Sequence, residues 1–144
     1  MSFGWSAGDL AAAMTLIYNL IQALDNVDGA AGNYREAVSF LRDLKRTLEP
    51  LQTLTAWNQY LEYGRDIGEQ VAQIRAPVEK FLAAVLKFEP SFGSVKDGHH
   101  RHILRKLQWH ILVSKRVLAL RESIESHTRV IDILLQRLTL QVNL

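Results

Sequence analysis

The densest cluster of chemically able side chains is His99-His100-Arg101-His102. Imidazoles at this spacing could ligate a metal, but a structural site takes about four ligands and the sequence has no cysteine to complete one. The run therefore reads as a solvated loop edge. His110 and His127 stand 17 positions apart and lack the HExxH arrangement that places two imidazoles and a base on one helical face. Each reads as a partly buried or surface imidazole. Glu122 and Glu125 form an i, i+3 pair beside Arg121 and Arg129, the spacing of surface ion pairs and not of a general acid and base. Neither a glycine-rich phosphate loop nor a nucleophile elbow occurs. The expectation is a protein that is not an enzyme and uses neither cofactor nor metal.

Charge is distributed unevenly. Residues 1–95 hold 8 Lys/Arg against 11 Asp/Glu, whereas residues 96–137 hold 9 against 4. Arg105, Lys106, Lys115, Arg116 and Arg121 make the last part of the chain the candidate surface for anions, membrane lipids included. Nucleic acid is a poor fit, because these bases are interspersed with acids and lack the compact, aromatic-interleaved reading head of such proteins. The absence of cysteine points to an intracellular protein held together by packing alone. With no basic residue ahead of the first apolar run and Asp9 near its start, a secretory signal is not expected and a cytoplasmic location is.

These side chains need a scaffold, and hydrophobic spacing supplies it. At 144 residues with 8 Gly and 3 Pro, the chain has the length of one domain and the composition of long helices. Ser6 and Asp9 suit a helix start. Leu10, Met14, Ile17, Ile21 and Leu24 then recur at three- and four-residue intervals, broadened by Ala11, Ala12, Ala13, Leu16 and Leu20, before residues 25–29 end the helix. A second stripe, Tyr34, Val38, Leu41, Leu44, Leu48, Leu51 and Leu54, predicts a helix over residues 32–55 with a kink at Pro50. The third, over residues 57–88, runs through Leu61, Gly64, Ile67, Val71, Ile74, Val78, Phe81, Val85 and Phe88, with a bend at Pro77.

Residues 89–99 are rich in turn formers. A last helical region follows over residues 100–142, its inner face assigned to Ile103, Leu107, Ile111, Ser114, Val117, Leu120, Ile124, Ile131, Leu134 and Leu138, with a division in two at Val113-Ser114-Lys115. Four such stripes close into a single all-α domain spanning residues 1–144, an antiparallel four-helix bundle whose short connections make the first three helices sequential neighbours. Because the sequence stays apolar to Leu144, the expectation is an N-terminal module of a larger protein.

The first helix invites a membrane reading. Phe3, Trp5, Leu10, Met14, Ile17, Ile21 and Leu24 lie in a stretch, residues 3–24, whose single charge is Asp9. At about 1.5 Å per residue it spans roughly 33 Å, near the hydrocarbon thickness of a bilayer. The charge-free part, residues 10–24, is short for a span and favours a core helix. Burying its large apolar side chains is worth roughly 9 to 18 kcal/mol as an upper estimate, comparable with the stability of a whole domain. The helix would leave only if triggered, with lipid or oligomer contacts replacing the lost burial.

Three stretches resemble the N-terminal helical domains of fungal STAND/NLR-type proteins, the HeLo, HeLo-like and SesA group. They are Ser2-Phe3-Gly4-Trp5-Ser6-Ala7-Gly8-Asp9-Leu10 at the start, Tyr34-Arg35-Glu36 with Leu41, Leu44 and Leu48 in the second helix, and Arg105-Lys106-Leu107-Gln108-Trp109 followed by Lys115, Leu118, Leu120-Arg121, Ile124, His127 and Ile131. Together they cover nearly the whole chain. The resemblance implies a regulated effector module at the head of a larger immunity or heterokaryon-incompatibility protein, related in architecture to the executioner bundle of the mixed-lineage kinase-like pseudokinase. It further implies oligomerisation with like helical domains, recruitment to the plasma membrane and membrane engagement by the first helix. The glycine-rich features of pore-forming members are not matched here. The alternative expectation is a non-lytic adaptor that binds a partner through Trp57, Tyr60 and Tyr63.

Overall fold

The computed structural model describes residues 5, 7–25, 34–53, 61–88 and 99–142. These residues form four helices, α1 (Ala7–Asp25), α2 (Arg35–Thr53), α3 (Leu61–Phe88) and α4 (His99–Val142), and no strand. The bundle is built as the apolar stripes require. Leu10, Ile17, Ile21 and Leu24 of α1, Val38, Leu41, Leu44 and Leu48 of α2, and Ile67, Val71, Ile74 and Val78 of α3 are all buried in one continuous core.

Both prolines stay inside their helices. A helix-interior proline costs about 3 kcal/mol. Beyond Pro77, however, α3 buries Val78, Phe81, Leu82 and Val85, each worth about 1.5 to 3 kcal/mol, so continuation wins. The same reasoning corrects the expected division of the last helix. α4 is unbroken over 44 residues, because the helix penalty of a serine is under about 1 kcal/mol and the flanking Val113 and Val117 are fully buried.

Helix directions follow from a few bonds. His127 Nδ1–H donates to Gln70 Oε1 at 2.8 Å, joining α3 to α4. Were the two helices parallel at that point, Phe88 and His99 would stand roughly 70 Å apart at about 1.5 Å per residue, and the ten residues between them reach at most about 36 Å. They are therefore antiparallel. α2 runs parallel to α4, since Tyr34 faces His110 and Thr47 meets Asp132.

Packing links α1 to α2, α2 to α4, α4 to α3 and, more lightly, α3 to α1. This corrects the expectation that the first three helices are all sequential neighbours. α2 and α3 occupy one diagonal, as do α1 and α4. Residues 54–60 can connect across that diagonal, because seven residues reach about 23 to 25 Å and neighbouring axes are only about 8 to 10 Å apart.

A second correction concerns the inner face of α4. Ile111 is 49% exposed, and its neighbour His110, only 2% exposed, takes the interior place. Leu135 is buried and Leu134 only partly so. Ile103 and Leu107 lie where side chains are outside the described residues.

Candidate functional site

The polar groups around α1 fix both of its ends. At the start, Trp5 is buried and its indole N–H donates to Glu79 Oε1 of α3 at 3.0 Å, an oxygen that also accepts from Arg75 Nε at 3.1 Å. At the other end, the last carbonyls of a helix lack intrahelical partners. The Ala23 carbonyl is met by His110 Nε2–H at 3.0 Å, and Asp25 Oδ2 accepts from Arg42 Nη2 at 3.1 Å. The His110 ring sits 5.8 Å from that of Tyr34 and edge-on to Trp109 at 5.1 Å. A buried imidazole is tolerated here because its donor finds a carbonyl that would otherwise go unmet.

Replacing His110 by alanine is accordingly expected to cost about 1 to 3 kcal/mol of unfolding free energy, from a lost buried donor and a void. Urea denaturation checks this, and a midpoint equal to that of the wild type would contradict it.

The candidate membrane or partner residues of α1 are placed as follows. Leu10, Ile17, Ile21 and Leu24 are core residues, and Met14 packs partly against that core. Trp5 is tied to α3, and Phe3 lies outside the described residues. The large residues of the apolar stripe are thus used inside the bundle, whereas Ala11 and Ala12, expected to broaden it, face solvent because the core is already filled by Leu10, Ala13 and Ile17. What α1 presents to solvent is Gly8, Ala11, Ala12, Thr15, Tyr18, Asn19 and Gln22, an uncharged ridge with Asp9 and Asp25 at its ends. Thr15 turns its hydroxyl onto the Ala11 carbonyl at 3.0 Å, and Lys45 Nζ stands 5.4 Å over the Tyr18 ring. No helix of the described residues is long and apolar enough to cross a membrane.

The three basic candidates of α4 whose side chains are described do not share one face. Lys115 and Arg116 are exposed. Arg121 is turned towards α2, its Nε 3.5 Å from Glu125 Oε2, while Glu125 Oε1 accepts from Arg129 at 2.7 Å. Glu125 therefore serves as a surface ion-pair partner, as its i, i+4 spacing from both arginines predicts. Arg105 and Lys106 lie on the helix with side chains outside the described residues. Measured from the His127–Gln70 bond, α3 ends level with about residue 109 of α4, so the turns carrying Arg105 and Lys106 run on beyond Phe88.

Sequence reasoning did not find a groove of about 1080 Å³ between α2 and the second half of α4. Phe40, Leu44, Thr47, Thr128 and Leu135 form its floor, with Arg46, Arg121, Glu125 and Asp132 along its walls. The Thr47 hydroxyl lies 2.8 Å from Asp132 Oδ1 and 3.1 Å from the Asp43 carbonyl. Having one proton, it donates to one of them at a time. Thr47 was findable in principle, because Phe40, Leu44, Thr47 and Leu51 form a second buried row on α2. Its partner was not, lying 85 positions away.

Desolvation raises the carboxyl of Asp132 above its ordinary value, opposed by the Thr47 hydrogen bond and reinforced by the nearby Asp43. A raised carboxylate means that the folded state holds the proton more tightly. This group's contribution is therefore fully present below its unfolded value of 3.8 and is lost as pH rises through the folded value. Asp132→Asn keeps an oxygen for Thr47 and removes the charge. It is expected to be more stable than the wild type at pH 7, with the advantage vanishing below about pH 3.8. Chemical denaturation across that range checks the sign, and a variant less stable at pH 7 would refute it.

Among the described residues no group of three or more His, Cys, Asp or Glu could hold a metal ion. The side chains of His99, His100 and His102 lie outside that set, as do Trp57 and Tyr60, while Tyr63 packs partly buried against the core. Comparison of the chain with protein-family models, curated proteins and solved structures finds no match.

Proposed function

We propose that the chain is a signalling bundle of the HeLo, HeLo-like or SesA type at the head of a larger fungal immunity or incompatibility protein, acting by self-association and by recruitment from the cytoplasm to an anionic membrane. The observation that carries this reading is a pair of outer faces that core packing does not explain. One is the uncharged ridge of α1; the other is the set of large aliphatic side chains that α4 turns to solvent. A helix whose only task is to close a bundle ordinarily shows water a charged face.

Basic residues at the start and along the exposed side of α4 support the anionic partner. Each Lys or Arg near an anionic surface contributes about 1 kcal/mol. Changing Arg105, Lys106, Lys115 and Arg116 together to glutamine is therefore expected to weaken binding to phosphatidylserine vesicles by up to about a thousandfold. Co-sedimentation at low and physiological salt measures this, with dye release reporting permeabilisation. Absence of vesicle binding in every oligomeric state would defeat the membrane part.

A second reading, a non-lytic protein-interaction bundle, is favoured by one observation: α1 commits Leu10, Ile17, Leu20, Ile21 and Leu24 to the core. Under that reading the glutamine variants still retain a protein partner.

A further inference from the structure

We propose that the outward face of α4 docks α1 of a second copy of this chain, giving a head-to-tail assembly; the inference rests on reading the chain as a self-associating bundle.

At 100° per residue, Ile111, Ile133 and Leu140 fall within about 40° of the line opposite the buried Val113, Ile124, Ile131 and Leu138. They are 49%, 50% and 67% exposed, with Val130 beside them. Large aliphatic side chains on the far side of a helix gain nothing from their own fold. Val130, Ile133 and Leu140 lie close together near the end of α4 and make an apolar patch, whereas Ile111 stands roughly 33 Å away, with Lys115, Glu122 and Arg129 between on the same side. The surroundings of the patch are basic. The exposed residues of α4 between 108 and 141 include Lys115, Arg116, Arg129 and Arg137 against Glu122 and Asp132, four minus two or a net +2.

The occupant follows from size and sign. Exposed positions of α2 and α3 are densely charged with both signs, for instance Arg42, Asp43 and Arg46, or Arg65, Asp66 and Glu69. A second α4 would set base against base. α3 also exposes Ala72, Ala76 and Ala83, but among Glu69, Glu79, Lys80 and Lys87. α1 presents small positions, Gly8, Ala12 and Thr15, on a ridge with no charge between Asp9 and Asp25, and those two charges are acidic. No Lys or Arg occurs before Arg35.

The diagonal arrangement then sets the form of the assembly. α1 and α4 sit at opposite corners of the bundle, so their outward faces cannot meet within one molecule. A copy docked through its α1 leaves its own α4 open for the next. Such heterologous contacts propagate into rings or filaments and do not stop at two-fold pairs. One helix pair makes a small interface, and contacts below about 1,200 Å² are weak. Assembly is therefore expected when copies are concentrated, as on a vesicle surface or by tethering.

Sedimentation velocity on the purified chain, alone and with two variants, tests the proposal. Ala12→Arg blocks the α1 face and Ile133→Arg blocks the α4 face; both positions are exposed, so circular dichroism and melting should match the wild type. Asn19→Arg and Leu140→Arg are replacements if either variant folds poorly. The wild type is expected to rise past twice its 16.4 kDa mass with concentration, each variant to remain at that mass, and an equimolar mixture to reach twice the mass and stop. The mixture stops there because its blocked faces carry like charges. If the wild type assembles but either variant alone also assembles, or the mixture stays monomeric, head-to-tail docking is overturned and self-association by another surface stands. A wild type that stays monomeric at every concentration, free and on vesicles, overturns the docking and the self-association reading together.

Discussion

Val71→Asp is expected to unfold the domain, whereas Ala72→Asp, one position along, leaves it folded. Val71 is fully buried near the middle of α3 and Ala72 is exposed. Exchanging the valine forfeits about 1.5 to 3 kcal/mol of burial. It also places a carboxylate where no partner awaits it, at a cost of several kcal/mol even after the group takes up a proton. The sum approaches or exceeds the whole stability of a typical domain, about 5 to 15 kcal/mol. The exposed site should change stability by no more than about 0.5 kcal/mol. Far-UV circular dichroism with urea titration of both variants decides the matter. If Val71→Asp melts like the wild type, the interior assigned to α3 is wrong.

That contrast also marks how far the sequence could be read. α3 was legible because its apolar positions stand alone against polar neighbours, so one phase of the helix fits: Ile67, Val71, Ile74 and Val78 are all fully buried. α4 was legible as a helix but misread by one residue at its start. Its apolar residues are spread around the cylinder, Ile111 and Ile133 outward, Val113 and Ile131 inward, and hydrophobicity alone cannot choose between them. At the start of α4 the choice is made by a polar residue that the interior satisfies: His110 donates to the Ala23 carbonyl, 87 positions away in the sequence. That bond has no local signature that outweighs Ile111 one step along.

The candidate site divides in the same way. That α1 carries a buried stripe follows from its spacing, and the stripe is in the core. Which surface remains once the stripe is used depends on which helices flank α1, a question of topology. The α2/α4 groove was invisible for that reason: it exists because α4, and not α3, lies beside α2. Pro50 and Pro77 were correctly placed inside helices because the stripe continues across each of them.

Deleting residues 1–25 is expected to abolish cooperative folding of the remainder, and this result bears directly on how α1 could act. Leu10, Ile17, Leu20, Ile21 and Leu24 are buried in the shared core, contributing roughly 8 to 15 kcal/mol as an upper estimate. Removing them also uncovers the α2 side chains they face, and the links to Glu79, Arg42 and His110 go with them. A three-helix remainder would retain helical content but lose fixed packing, giving broad melting and dye-binding apolar surface. An α1 that inserts into a membrane must then be exchanged for lipid contacts in the same event that frees it, because no stable intermediate without it exists in water. Near-ultraviolet circular dichroism and proton–nitrogen correlation spectra of the truncated chain test this. Sharp, dispersed resonances with a cooperative melt would show that α1 is a detachable element on an independent scaffold, and release could then precede membrane contact.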